Sequence, residues 1–354
     1  MTRRTPATTS VRRPTPPGRS ATLTLWTSGV VLLVISVAVA ITLGPASLSV
    51  SEVFAIILDH LGGAASGATA IRDGIVWNLR LPRTLLAAIC GAGLGLCGAI
   101  MQSLLRNPLA DPFVLGISSG ASTGAVLIVI LGVGSGVVGL TGGAFVGAVV
   151  SFSLVLLLAH AAGGTPDRVI LAGVAATQLF SALTSFIIIT AADPEQTRGV
   201  LFWLLGSLSG ADWLDVTMCL SVVGIGLALC LTHSRALDAF AFGEDAAAGL
   251  GVNVRRVRLT LLVATALMTA AIVSVAGAIG FVGLVLPHAA RAIVGPNHHR
   301  LLPATALIGA IFLVWVDAVA RTALEPQELP VGVVTALVGV PAFAVILWKR
   351  KATR

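Results

Sequence analysis

From Pro112 to Pro166 the chain runs 55 residues without a single aspartate, glutamate, lysine or arginine. A helix crosses the hydrocarbon core of a bilayer with about 20 apolar residues. The run is therefore too long for one crossing and suited to two. GVGSG at 132–136 supplies the turn between them. A soluble domain carries about 25% charged residues; this chain of 354 residues carries 10%, with 56% hydrophobic residues and a mean hydropathy of +0.99. Other uncharged runs cover Ala21–Ser51, Thr84–Leu105, Val169–Ala192, Val216–Ser234, Leu259–Ala290 and Leu329–Trp348. The fold class expected is an all-α polytopic membrane protein.

Ten spans fit these runs: about 23–43, 84–105, 113–131, 138–159, 169–190, 213–232, 259–276, 279–294, 302–324 and 331–348. The run 259–290 is too long for one straight span and is divided near AGAIG (276–280). Residues 1–22, rich in Pro, Thr and Arg with no apolar face, read as a disordered basic cytoplasmic tail. The ten-span domain occupies 23–348, and 349–354 form a basic cytoplasmic C-terminus. Basic residues are distributed unevenly over this topology. The tail arginines, Arg106, Arg168, Arg235, Arg255, Arg256, Arg258, Arg291, Arg300 and the C-terminal group Lys349, Arg350, Lys351 and Arg354 fall on one side. Arg72, Arg80, Arg83 and Arg198 fall on the other, and Arg321 lies within the ninth span. Cytoplasmic loops hold the excess of Lys and Arg, which puts both termini in the cytoplasm and requires an even number of spans.

Glycine recurs at four-residue spacing at Gly91/Gly95, Gly116/Gly120/Gly124 and Gly139/Gly143/Gly147. Such a stripe lets helix backbones approach closely in lipid. Cys90, Cys97, Cys219 and Cys230 all fall in spans without metal spacing and read as packing residues. Asp317 is the sole acid deep in a span, with Arg321 one turn on, on the same face.

Several functions are excluded. The only lysines are Lys349 and Lys351, so the chain has no P-loop, whose lysine must reach the phosphates of a nucleotide. The six histidines are scattered, and none stands near a nucleophile and an orienting acid. No catalytic residue, resident metal or cofactor is assigned, and the net charge of +7 is spread as a topology signal, with no nucleic-acid role. If transport here needs energy from ATP, another chain must supply it.

Four blocks carry a resemblance: LRLPRTLLAAICGAGLGLCGAIMQSLLRNPLADPFVLGISSGAS (79–122); DRVILAGVAATQLFSALTS (167–185) with FWLLGSLSGADW (202–213); AFGEDAAAGLGVNV (241–254); and AGAIGFVGLVLPHAAR (276–291) with DAVAR (317–321) and ELPVGVVTALVGVPAF (328–343). From about residue 24 to the C-terminus, in order, the chain resembles the FecCD-type (BtuC-like) permeases. These are membrane subunits of ATP-binding-cassette importers for iron–siderophores, haem and cobalamin. The resemblance implies a ten-helix protomer, paired with a second permease protomer in the bacterial cytoplasmic membrane. It also implies two cytoplasmic ATPase subunits, which would hold ATP and Mg, and an extracytoplasmic substrate-binding protein. The cargo would be an iron–siderophore or related metal chelate.

By the same resemblance, residues 241–254 are coupling helices docking on the ATPase, through Phe242, Gly243, Glu244, Asp245, Ala247, Leu250 and Gly251, with Ala246 and Ala248 beside them. Two acids at a helix start suit its dipole. Arg80, Arg83 and Arg321, placed against the positive-inside bias, would receive carboxylates of the binding protein. The fifth span and a half-helix near 195–206 would line the pathway. Its candidates are the gate residues Thr165, Pro166 and Asp167 and the lining residues Gln178, Ser181, Thr184 and Ser185. His288 is expected to be structural, because siderophores carry their own iron ligands. The alternative is an ion- or proton-coupled secondary transporter, which wants acids near the bilayer midplane and has only Asp317.

Overall fold

The computed structural model describes residues 19–44, 48–63, 67–132 and 139–352. Residues 1–18 of the expected tail, two short loop segments and most of the GVGSG turn lie outside these, while residues 19–22, expected to belong to the disordered tail, are the first turn of a helix. The regular elements among the described residues are all helical. Helix α1 (Arg19–Thr42) is followed by the short α2 (Val50–His60) and α3 (Ala70–Gly74), then a π-helical stretch over Ile75–Arg80 that runs into α4 (Leu81–Leu104). Next come α5 (Ile117–Leu131), α6 (Gly139–Ala161), α7 (Pro166–Ala191), α8 (Pro194–Leu204) and α9 (Trp213–Thr232). The last third holds α10 (Ser234–Phe240), α11 (Glu244–Gly249), α12 (Val254–Ala276), α13 (Val282–Val294), α14 (His298–Thr322) and α15 (Val331–Ala352). Seven helical stretches are long and apolar enough to cross a membrane, and α5, α13 and α15 are shorter apolar helices. Together they coincide with the ten expected spans. The break near 276–280 falls between α12 and α13, and the half-helix near 195–206 is α8.

Antiparallel pairs organise the bundle, and small residues set how close they come. Along α4 and α14, Gly91 lies against Gly309 and Gly95 against Thr305. Along α5 and α6, Gly120 meets Gly147 and Gly124 meets Gly143. A Cβ on Gly91, Gly120, Gly124 or Gly147 would strike the facing backbone. Van der Waals contact between backbones is what holds such pairs together where lipid gives no hydrophobic drive. Gly139 and Gly116 do not belong to the stripe. Gly139 has open space around it, and Gly116 ends a 3-10 turn in the left-handed region (φ 70°), where its carbonyl accepts from Ser151 Oγ at 2.8 Å.

Between α12 and α13 the chain unwinds inside the bundle. Non-helical backbone at membrane depth persists only where its polar groups are satisfied or line a cavity. At its edge Ser207 N–H donates to Ala276 O (2.9 Å), and in the adjoining segment after α8 the carbonyls of Gly206 and Leu205 accept from Val331 N–H (2.8 Å) and Gly332 N–H (3.1 Å). Gly277 (φ 67°) packs against Trp203 O, so no side chain fits there. The end of α8, this break and the start of α15 enclose an apolar cavity of about 570 Å³, lined by Leu204, Leu205, Ala278, Val333 and Leu337 among others.

The four cysteines are buried and unpaired. Cys97 and Cys219 point their thiols at the carbonyls of Thr265 and Ala271, as small packing residues do.

Candidate functional site

The loop between α9 and α12 folds into two short helices, α10 and α11, joined by a turn at Ala241–Gly243. The expected coupling stretch, 241–254, contains only the second of them; α10, in SRALDAF, was not anticipated. Gly243 adopts φ 105°, ψ 164°, which a side chain disfavours, and thereby redirects the chain into α11. Phe242 (79% exposed) and Leu250 (72%) project from the loop, and Asp245, Ala246, Ala248 and Gly251 are also exposed. Large exposed apolar side chains set among polar ones mark an interaction surface. Ala247 departs from expectation. It is fully buried and packs with Leu237, Phe240 and Leu261 in the main core, because the face of so short a helix that carries it must rest on the bundle.

Glu244 does not await a partner's cation. It opens α11 and pairs with Arg258 of α12, whose guanidinium also donates to Gly164 O at 3.5 Å. Gly164 belongs to the turn GGTPD, so one arginine joins the α10–α11 loop to the expected gate. A cavity of about 700 Å³ lies at this junction, lined by His160, Gly164, Glu244 and Arg258. Arg258 went unassigned in the sequence, although its position just beyond the acid-bearing helix was a usable signal.

Thr165 precedes α7, Pro166 occupies its first turn, where a missing N–H costs nothing, and Asp167 follows. Gln178, Ser181 and Ser185 are exposed and stand with Asp167 on one face of α7, while Val169, Ala172, Gly173, Ala176, Phe180 and Ile187 occupy the buried face. The same face also exposes Leu171, Val174 and Ile189, so it is mixed, with polar groups set among apolar ones. Thr184 does not join that face: it is buried and shares a hydrogen bond with Thr123 of α5 at 2.8 Å. Helix α8 begins at a capping box in which Asp193 and Gln196 satisfy each other's backbone N–H groups.

The arginines expected to face a docking protein are turned inward. Arg80, Arg83 and Arg321 are 7%, 8% and 8% exposed. Arg80 donates to Ile41 O (2.9 Å) and Thr42 O (3.3 Å) at the end of α1. Arg83 donates from Nε to Asp317 Oδ1 (2.9 Å) and from Nη1 to both oxygens of Glu328 (3.0 and 2.9 Å). Arg321 donates to Asp317 Oδ2 (3.1 Å), Leu43 O (3.2 Å) and Ala40 O (3.0 Å). The physical reason is the company they keep: a guanidinium that leaves water needs carboxylates and carbonyls around it, and Asp317, Glu328 and the open end of α1 supply them. Nothing in the sequence around Glu328 marks it as the partner of Arg83, 245 positions away.

His288 Nε2 lies 2.9 Å from Pro108 O, a bond to backbone that holds the α4–α5 loop. Among the described residues no group of three His, Cys, Asp or Glu side chains could hold a metal ion.

The FecCD transport family model matches residues 32–349. This chain belongs to the FecCD family. It is 45% identical over 279 residues to the cobalamin import system permease protein BtuC of Halobacterium salinarum, covering 78% of this chain and 74% of that one. It is 37% identical over 315 residues to the hemin transport system permease protein HmuU of Yersinia pestis, covering 83% and 93%. A solved structure described as an inward-facing, metal-chelate type ABC transporter superposes with a TM-score of 0.81 at 30% identity, covering 92% of this chain and 99% of that one. The FecCD chain is thus a multi-pass membrane permease subunit of an ABC importer, with the BtuC-like, all-α fold.

Proposed function

We propose that this FecCD-family chain carries a metal chelate of the iron–siderophore, haem or cobalamin kind into the cell, driven by ATP hydrolysed on a separate subunit. In this reading it pairs with a second permease protomer, two ATPase subunits beneath and a binding protein outside, and both termini are cytoplasmic. The observation that carries it is the α10–α11 loop. A chain without a P-loop lysine exposes Phe242 and Leu250 on a loop whose own Glu244 is tied through Arg258 to the gate turn at Gly164. A push on that loop reaches the gate by one side chain. The relatives' names, cobalamin and hemin import permeases, support a metal chelate as cargo.

Docking of the binding protein near Arg80, Arg83 and Arg321 requires its carboxylates to compete with Asp317, Glu328 and the α1 carbonyls. Import by a secondary, ion-coupled route would need a carboxylate free to exchange its ion, and both oxygens of Asp317 are held by arginines. Uptake into vesicles with and without the ATPase subunit tests the reading.

A further inference from the structure

At the end of the bundle that carries α10, three side chains from three helices form a chain of hydrogen bonds. Asp238 of α10 accepts at Oδ1 from the backbone N–H of His298, at 2.9 Å, and lies 2.6 Å from His298 Nδ1. His298 Nε2 lies 2.6 Å from Ser103 Oγ, at the last turn of α4. A carboxylate only accepts, so Nδ1 carries the proton toward Asp238. Ser103 Oγ then either donates to Nε2, or accepts from it while donating to Ala99 O at 2.9 Å. Either way both ring nitrogens of His298 have a partner. His298 itself is only 6% exposed.

The placement matters more than the pairing. His298 is the first residue of α14, so the Asp238 carboxylate caps that helix across the fold, where the dipole favours a negative charge. Helices α4 and α14 run antiparallel in constant register: Ser103 with His298, Gly95 with Thr305, Gly91 with Gly309 and Arg83 with Asp317. Polar bonds pin both ends, and direct backbone contact fills the middle. From His298 to Asp317 the helix rises about 29 Å, at 1.5 Å per residue. Apolar contacts of Leu237 and Phe240 hold α10 against the bundle, but such contacts are non-directional. The hydrogen bonds through His298 are what fix α10 to the end of this pair.

We propose that His298 is a positioning residue that latches α10 to the α4–α14 pair, so that displacement of α10 moves that pair as one body and reaches the Arg83–Asp317 cluster at the far end. This rests on the ATP-driven reading of the α10–α11 loop. A two-state element biased at one end is what coupling between distant sites requires.

The test uses the whole reconstituted transporter, with its ATPase subunits and binding protein. Nitroxides are placed at Leu324→Cys, beyond α14, and Ile189→Cys, near the end of α7; both positions are exposed. The distance between them is read before and after trapping with ATP and vanadate. The wild-type distance shifts on trapping. His298→Ala and Asp238→Ala abolish the shift while the complex still assembles and hydrolyses ATP. Asp238→Asn keeps it, because the amide oxygen still accepts both bonds. A wild-type shift that persists in His298→Ala and Asp238→Ala, or is lost equally in Asp238→Asn, overturns the latch. A wild-type complex that shows no shift with ATP overturns the ATP-driven reading itself.

Discussion

Arg83 of α4 and Asp317 of α14 meet at 2.9 Å inside the protein, 234 positions apart in the chain. Asp317 is 1% exposed and accepts from Arg321 through its other oxygen, so one carboxylate answers two guanidiniums. Breaking a buried charge pair by removing one partner costs about 3–5 kcal/mol, because the other charge stays buried and uncompensated. Asp317→Ala is therefore expected to lower the thermal unfolding midpoint in detergent markedly, and Asp317→Asn, which keeps the shape, to lower it less. Equal midpoints for Asp317→Ala and wild type would contradict the role given to this cluster.

The same geometry changes what a charge reversal at Arg83 reports. Arg83→Glu would bring three carboxylates together with Asp317 and Glu328, so loss of folded protein is expected to precede any effect on docking. Size-exclusion profiles of Arg83→Glu and Arg83→Gln separate the two effects: the glutamine variant is expected to elute as a folded species. A monodisperse, stable Arg83→Glu protein would show that the carboxylates are not held together as described.

Helix contact through glycine predicts position-dependent tolerance. Gly91→Leu and Gly124→Leu force a side chain into a facing backbone, and overpacking of this kind costs about 1–3 kcal/mol or more. Gly224→Ala, on α9 with open space where the added Cβ would sit, is expected to be neutral or to stabilise by about 0.5–1 kcal/mol through reduced backbone entropy. Thermal melts of the three variants decide it, and similar midpoints would rule out the close approach.

The Glu244–Arg258 pair is expected to matter for transport more than for stability, since Glu244 is 40% exposed. Arg258→Ala should lower ATP-driven uptake severalfold and leave ATPase binding intact. The exchange Glu244→Arg with Arg258→Glu should recover part of the loss. Full uptake by Arg258→Ala would sever the proposed link between loop and gate.

The spans were legible because lipid imposes a simple code: a crossing needs an apolar run, and charges collect at its ends. That code located the ten apolar helices and the break near 276–280, whereas the half-helix α8, which carries Glu195 and Arg198, was expected only from the family resemblance. It could not reveal that Arg80, Arg83 and Arg321 turn inward, because charge asymmetry reports which side a residue lies on and is silent about partners such as Glu328. Ala247 was misplaced for a related reason: in a six-residue helix, composition does not say which face rests on the bundle. Helix α10 was missed because seven mixed residues carry too few turns for periodicity to register. The Ser103–His298–Asp238 chain was invisible, since its members come from three helices brought together only by folding.

Uptake by sealed vesicles tests ATP-driven import by this chain most directly. The chain is reconstituted with its ATPase subunits and binding protein, and labelled ferric siderophore, haem and cobalamin are offered in turn. Uptake of one of them that requires ATP and the ATPase subunit, and stops when either is withheld, is the expected result. Equal uptake by vesicles containing this chain alone, without ATP, would contradict it.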